Sequence, residues 1–240
     1  MNQDITQIQE YKLKIIKIID ETPDTKTFRV EVKNYIDFLP GQFFMVRFED
    51  SKILHRAYSA ASSPTDKGYI EITMNLIGEF TNKLWKAKAN DHLIFKGPYG
   101  KFYFHERMKQ NLVLISGGLG ITPLRSIIRY CTDKKLSNKI KLIHSARTPH
   151  DLVYRKELEH LTEKNPDYNF TFTITRAEER HGWKGRIGRI NDELLKQNIE
   201  DVGNTLFYIC GSLAFVKDIR EMLYSLGAGK ENVKTDIWGE

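Results

Sequence analysis

Apolar and polar residues alternate at Phe28, Val30 and Val32, and again at Ile70, Ile72 and Met74. Successive side chains of an extended backbone point to opposite faces, so this period of two marks half-buried strands. Phe44, Val46 and Phe48 keep the same spacing. Turn-forming clusters separate the runs: Leu39-Pro40-Gly41, Ser62-Ser63-Pro64, Asp66-Lys67-Gly68 and Gly97-Pro98-Tyr99-Gly100. Short strands punctuated in this way from about residue 11 to 105 predict a small antiparallel β-barrel, with one short helix over about 81–86.

The rhythm changes after the polar stretch 105–111. Strands are predicted at 112–116, 140–144, 170–175 and 206–209, alternating with helices at 123–131, 152–163 and 213–226. Leu124, Ile127, Ile128 and Cys131 recur at helical spacing, as do Leu213, Val216, Ile219, Leu223 and Leu226. Such alternation predicts a parallel sheet covered on both faces. The chain therefore divides into a β-barrel domain over 1–107 and an α/β domain over 108–240, whose expected parallel sheet is five-stranded, one strand more than the four placed here.

The junction of those halves carries the first chemistry. The β-branched run Leu112-Val113-Leu114-Ile115 leads into Gly117, Gly118 and Gly120. Glycines there permit positive φ and leave no Cβ between the backbone and an incoming pyrophosphate. Pro123 suits the first turn of the following helix, whose amides and dipole face a bound phosphate. Pro123 also stands where the general G-x-G-x-x-G fingerprint has its third glycine.

Composition narrows the classes. Of 240 residues, 40% are apolar, enough for real cores. No apolar run approaches membrane-spanning length and the N-terminus lacks the features of a signal peptide, so the expectation is a cytoplasmic protein with no membrane span. Two cysteines, Cys131 and Cys210, exclude a disulfide framework and a four-cysteine iron–sulfur or zinc site in this polypeptide. The histidines show no metal-binding spacing. The net charge of +6 is spread along the chain, as a solvated basic surface or as one that attracts an anionic partner. No zinc-finger spacing, ribonucleoprotein motif or basic helix supports nucleic acid.

The barrel half holds His55-Arg56-Ala57-Tyr58-Ser59. On a strand, Arg56 offers a fork of donors to phosphate, and Tyr58, two residues on, offers a flat ring from the same face. Gly78-Glu79-Phe80-Thr81 follows downstream as a glycine turn opening a short helix, able to meet a second phosphate. A planar ring with a pyrophosphate tail satisfies both.

In chain order, R-A-Y-S, G-E-F-T, G-P-Y-G, G-G-L-G-I-T-P and C-G-S-L resemble the motifs of the ferredoxin–NADP(H) reductase family of flavoproteins. The resemblance runs from about Tyr11 to the C-terminus. It implies FAD on a six-stranded Greek-key barrel followed by a Rossmann-like domain for NADPH or NADH. By that likeness Arg56 holds the flavin pyrophosphate, Tyr58 stacks on the isoalloxazine, Ser59 bonds near flavin N5, and Thr81 takes a phosphate oxygen, with Ala57, Gly78 and Phe80 lining the same site. Gly117, Gly118, Gly120, Thr122 and Pro123 form the pyridine-nucleotide loop, with Thr122 near the nicotinamide. The G-x-G-x-x-P form is the family's own.

Ser145 and Arg147 stand where an NAD-preferring fold often places a carboxylate. Arg176 and Arg186 match positions where bacterial members use arginine on the 2′-phosphate, so NADPH is the expected cofactor. Cys210 is expected to line the nicotinamide site rather than act as a nucleophile. Asp236 and Trp238 resemble, by residue class, the family tail in which an acid lies near the nicotinamide and an aromatic ring covers the flavin; Trp238 equally fits a structural plug. The implied activity is hydride transfer from NADPH to FAD, then single electrons to an acidic carrier such as ferredoxin or flavodoxin. The alternatives are an NADH-dependent reductase component of an oxygenase, a flavin reductase, an electron-transfer subunit of a larger complex, and a non-catalytic flavin or nucleotide sensor.

Overall fold

The computed structural model describes residues 8–51, 55–178 and 182–238. Residues up to His105, with Arg125–Lys134, form one compact unit; Glu106–Leu124 and the chain from Lys135 onward form the other.

In the first unit, β1 (Gln9–Thr22), β2 (Thr25–Glu31), β3 (Phe43–Phe48), β4 (Arg56–Ser59), β5 (Tyr69–Asn75) and β6 (His92–Tyr99) make a six-stranded antiparallel sheet ordered β4-β3-β6-β1-β2-β5. Its end strands β4 and β5 also approach each other, giving a near-barrel. The alternation is realised: Phe28, Val30, Phe44, Val46, Ile70, Ile72 and Met74 are buried together, while Val32 and Phe48 pack partly exposed at the edge of the cluster. Two expectations change. The helix α1 (Glu79–Trp85) starts two residues early, straight after Gly78. The Gly97–Gly100 turn signal falls at the end of a strand, since β6 keeps pairing as far as Tyr99, opposite Phe43.

In the second unit, β7 (Asn111–Gly117), β8 (Ile140–Ala146), β9 (Tyr168–Ile174), β10 (Arg186–Ile187), β11 (Thr205–Gly211) and β12 (Val233–Ile237) form a parallel sheet ordered β10-β9-β8-β7-β11-β12. It has six strands rather than five. Two of them, β10 and β12, are too short or too polar to show a strand pattern. Between the strands lie α2 (Ile121–Asp133), α3 (Arg155–Lys164), α4 (Asp192–Asn198) and α5 (Leu213–Ser225). The α2 stripe Leu124, Ile127, Ile128 and Cys131 is fully buried, and Val216, Ile219 and Leu223 of α5 are buried too. Leu213, counted in the same stripe, is 50% exposed because it begins the helix beyond the sheet. α3 begins at Arg155 instead of 152: Pro149–Asp151 forms a capped 3-10 turn, and Tyr154 takes a left-handed conformation before the helix. Among the described residues no helix is long and apolar enough to cross a membrane.

β5 is covered on both faces, and the second face is polar. Glu71, 1% exposed, receives Arg29 Nε and Nη2 on Oε1 at 3.0 and 2.8 Å, and Arg125 Nη1 on Oε2 at 2.8 Å. Arg125 Nη1 also donates to the Ala61 carbonyl and Ser126 Oγ to the Ser62 carbonyl, which fastens α2 from Arg125 onward to this unit. Burial alone would raise the Glu71 pKa, but Arg125 and Arg29 outweigh it and hold the carboxyl below the usual glutamate range. A depressed folded pKa gives stability that is present above the unfolded value and lost as pH falls through the folded one. Glu71→Gln, which leaves Arg125 buried opposite a neutral amide, should destabilise the protein by about 3 kcal/mol at pH 7. In denaturant melts the gap between wild type and variant should narrow as pH falls below the ordinary glutamate range.

Candidate functional site

The strand β4 carries R-A-Y-S antiparallel to β3, with Ser59 opposite Phe43, Tyr58 opposite Phe44, Ala57 opposite Met45 and Arg56 opposite Val46. Arg56 and Ala57 are exposed; Tyr58 and Ser59 are half-buried. Arg56 Nη1 donates to the His55 carbonyl at 2.9 Å. Burial pushes the Tyr58 phenol pKa up, so it stays protonated.

The two barrel motifs meet through their rings. Tyr58 lies 5.9 Å from Phe80 at 34°, and Phe80, only 2% exposed, lies 5.0 Å from Phe48. G-P-Y-G joins them from β6, where Tyr99 stacks on Phe43 at 5.7 Å, the residue that pairs with Ser59. Gly78, with φ of 144°, adopts a conformation L side chains rarely take, and open space lies where its Cβ would stand. Thr81 serves this turn directly: its Oγ1 accepts from the Ile77 amide at 2.8 Å and donates to the Gly78 carbonyl at 3.1 Å. Its hydroxyl, expected on a phosphate, is engaged in shaping the turn.

The dinucleotide motif follows β7, the strand next to which the sheet order reverses toward β11, and ligands of open α/β sheets bind outside the carboxyl ends of the strands at such a switch. Gly118 has a φ of 54°. Gly120 is pressed on β11 so closely that an added Cβ would stand 2.1 Å from the Cys210 carbonyl oxygen. At Gly117 a Cβ would stand 3.1 Å from the Phe215 ring. Pro123 sits in the first turn of α2, as its fixed φ allows. Thr122 is 4% exposed and its Oγ1 is buried with no hydrogen-bond partner.

The segment read as a tail is largely strand β12, which pairs with β11 so that Cys210 faces Asp236. Cys210 Sγ donates to Asp236 Oδ2 at 3.8 Å. Burial, and after it the Asp236 carboxylate, raise the thiol pKa well above its ordinary value. Burial raises the Asp236 carboxyl in turn. Trp238 follows, its amide donating to the Gly211 carbonyl and its indole edge near Gly118. The indole nitrogen is buried and acts on the Cys210 thiol, lowering its pKa against the larger effects of burial and Asp236.

The arginines expected on a 2′-phosphate divide. Arg147 and Arg176 are brought together at the ends of β8 and β9, where the Arg176 amide donates to the Arg147 carbonyl at 2.7 Å, and both side chains are exposed. Ser145, 9% exposed, lies beside Gly117 in register. Arg186 sits on β10 and donates to Asn191 Oδ1, the side chain that caps α4. A pair that the spacing did not reveal is Ser116 with His144, a polar contact inside two apolar strands. Its one sequence signal is a histidine following Leu142-Ile143 in a run otherwise read as core. Among the described residues no cluster of three or more His, Cys, Asp or Glu is placed to hold a metal.

Two family models match the chain: an oxidoreductase FAD-binding domain over residues 12–104 and an oxidoreductase NAD-binding domain over 114–221. The glycine betaine monooxygenase reductase subunit of Chromohalobacter salexigens is 28% identical over 236 residues, covering 95% of this chain. The chain spans only 64% of that relative's length. NADH-cytochrome b5 reductase 2 of Scheffersomyces stipitis is 28% identical, over 92% of this chain and 81% of its own. The crystal structure of a ferredoxin NADP+ reductase from Neisseria gonorrhoeae with bound FAD and NADP superposes with a TM-score of 0.83 at 26% identity, covering 95% of this chain and 98% of that one. With both domains matched in order, and the motifs of each assembled on the elements described above, the chain belongs to the ferredoxin–NADP(H) reductase-type family of FAD- and NAD(P)-binding oxidoreductases.

Proposed function

We propose that this chain is the reductase module of a multicomponent oxygenase, taking a hydride from a nicotinamide dinucleotide onto FAD and releasing electrons singly to a separate protein. The observation that carries the nucleotide half is the loop at the sheet's switch point: glycine backbone closed onto Cys210, with a buried Thr122 hydroxyl beside it that has no hydrogen-bond partner. On the flavin half, the half-buried Tyr58 ring, the exposed Arg56 and the open turn at Gly78 fit a planar ring with a phosphate tail. The bound cofactors supply the redox chemistry; the protein supplies orientation. Arg56 neutralises phosphate, Tyr58 and Ser59 fix the ring, Thr122 orients the nicotinamide, and Cys210, Asp236 and Trp238 line its pocket.

The oxygenase partner is supported by the similarity to a monooxygenase reductase subunit across almost the whole chain. A ferredoxin or flavodoxin acceptor is the second reading, favoured by the end-to-end match to a ferredoxin NADP+ reductase. The net charge of +6 suits an acidic carrier in either case. For the nucleotide, the adjoining Arg147 and Arg176 favour NADPH, whereas the relative named for NADH favours NADH.

The purified protein should show a flavin absorbance spectrum and reduce ferricyanide with reduced dinucleotide. A colourless protein that takes up no FAD would refute the proposal, and bound FAD without ferricyanide reduction would point to a sensor. The arginine reading expects a higher kcat/KM with NADPH, an advantage that Arg147→Ala with Arg176→Ala cuts by at least about tenfold, or about 1.4 kcal/mol, with little change for NADH. Thr122→Val should leave thermal stability equal or slightly raised, since it deletes a buried unpaired hydroxyl, while raising KM for the dinucleotide.

A further inference from the structure

Ser116 Oγ and His144 Nδ1 lie 2.8 Å apart, on neighbouring strands β7 and β8. Both residues are fully buried. They occupy one register position; at the next, Gly117 beside Ser145, β7 ends, and β8 ends one residue further on, at Ala146. The segment after β7 is the glycine loop; the one at the end of β8 runs through Ser145 to Arg147. In the reading above, which this inference rests on, those segments hold the pyrophosphate and the adenosine ribose of one dinucleotide.

The histidine is an expensive choice for that place. Its Nε2 is buried with no hydrogen-bond partner, and its ring stands edge-on to Phe172 with centroids 6.3 Å apart. An apolar side chain would fill the same space against Phe172 without stranding a polar atom. What an apolar side chain cannot do is hold the Ser116 hydroxyl. Burial pushes the imidazole pKa down to about 4 against a smaller upward pull from the Ser116 backbone, so at neutral pH the ring is uncharged and its Nδ1 forms a neutral hydrogen bond with the hydroxyl. The bond ties the strand end that launches the glycine loop to the strand end that launches Ser145–Arg147.

We propose that His144 is a positioning residue for the dinucleotide: through Ser116 it fixes the spacing between the two segments that grip the pyrophosphate and the ribose. A residue in that role affects how tightly the nucleotide is held more than how fast the bound nucleotide reacts.

The test uses the full-length protein with its FAD, reading KM and kcat for the dinucleotide in ferricyanide reduction and the Kd for the oxidised dinucleotide by difference absorbance. His144→Phe and Ser116→Ala should each raise KM and Kd about tenfold with kcat held within about twofold. The double variant should be no worse than either single one, because both remove the same interaction. His144→Asn, whose amide reaches the hydroxyl, should restore most of the affinity. Unchanged affinity in both single variants, effects that add, or an Asn variant no better than Phe would overturn the proposal. Should His144→Phe fail to fold, Ser116→Ala and His144→Asn decide it. A wild-type protein that binds neither NADP+ nor NAD+ would instead bring down the functional reading, and this proposal with it.

Discussion

The closest constraint in the second unit is the backbone of Gly120 lying on the Cys210 carbonyl, where any side chain would collide with main chain. That collision could not be relieved by a rotamer change, so the residue at 120 must be glycine or the loop must move away from β11. With the loop held there, the ends of β7 and β11 share one small surface. Thr122 starts α2 beside it, Cys210 lies under it, and β12 places Asp236 in register with Cys210. The site is thus a consequence of one backbone-to-backbone approach, and its side chains are set by strand pairing rather than by flexible loops.

The polar atoms left without partners differ between the two units. In the first unit the turn before α1 closes on itself: Thr81 satisfies both the Ile77 amide and the Gly78 carbonyl. In the second, Thr122 Oγ1, two residues past the last glycine of the loop, is buried without a partner. Buried polar atoms are normally paired, so the unpaired Thr122 hydroxyl sets the start of α2 apart from that closed turn.

The fold was largely legible because apolar residues recur at every second position in the barrel strands and run continuously in the parallel sheet. Phe28 and Ile72 alternate with polar residues and lie in the core, while Leu112–Ile115 is apolar throughout and is buried on both faces. Reading failed where strands owe their place to neighbours. β12 is Val-Lys-Thr-Asp-Ile, half polar, and exists because the edge of β11 offers it hydrogen bonds; β10 is two residues long. Leu152–Tyr154 resembled the start of a helix because it is apolar, but those residues are buried in a connection that reverses through a left-handed Tyr154. The glycine loop, R-A-Y-S and the arginines at 147 and 176 were visible as residue types at fixed offsets. Ser116 and His144 were not, because a contact between positions 28 residues apart leaves no local pattern.

The same physics decides what Cys210 can do. A thiol acts as a nucleophile only as its thiolate, and thiolates are favoured by nearby cations, helix N-termini or metals. Cys210 has the opposite surroundings: it is fully buried, and its pKa is driven up first by burial and then by the Asp236 carboxylate facing it. Asp236 is itself raised by burial, so the two groups hold their protons more tightly than either would in water. The pair therefore offers a hydrogen-bonded wall in which the thiol keeps its proton at neutral pH. Covalent catalysis through sulfur is disfavoured, and what remains for Cys210 is to shape the pocket beside the loop that Gly120 brings against it.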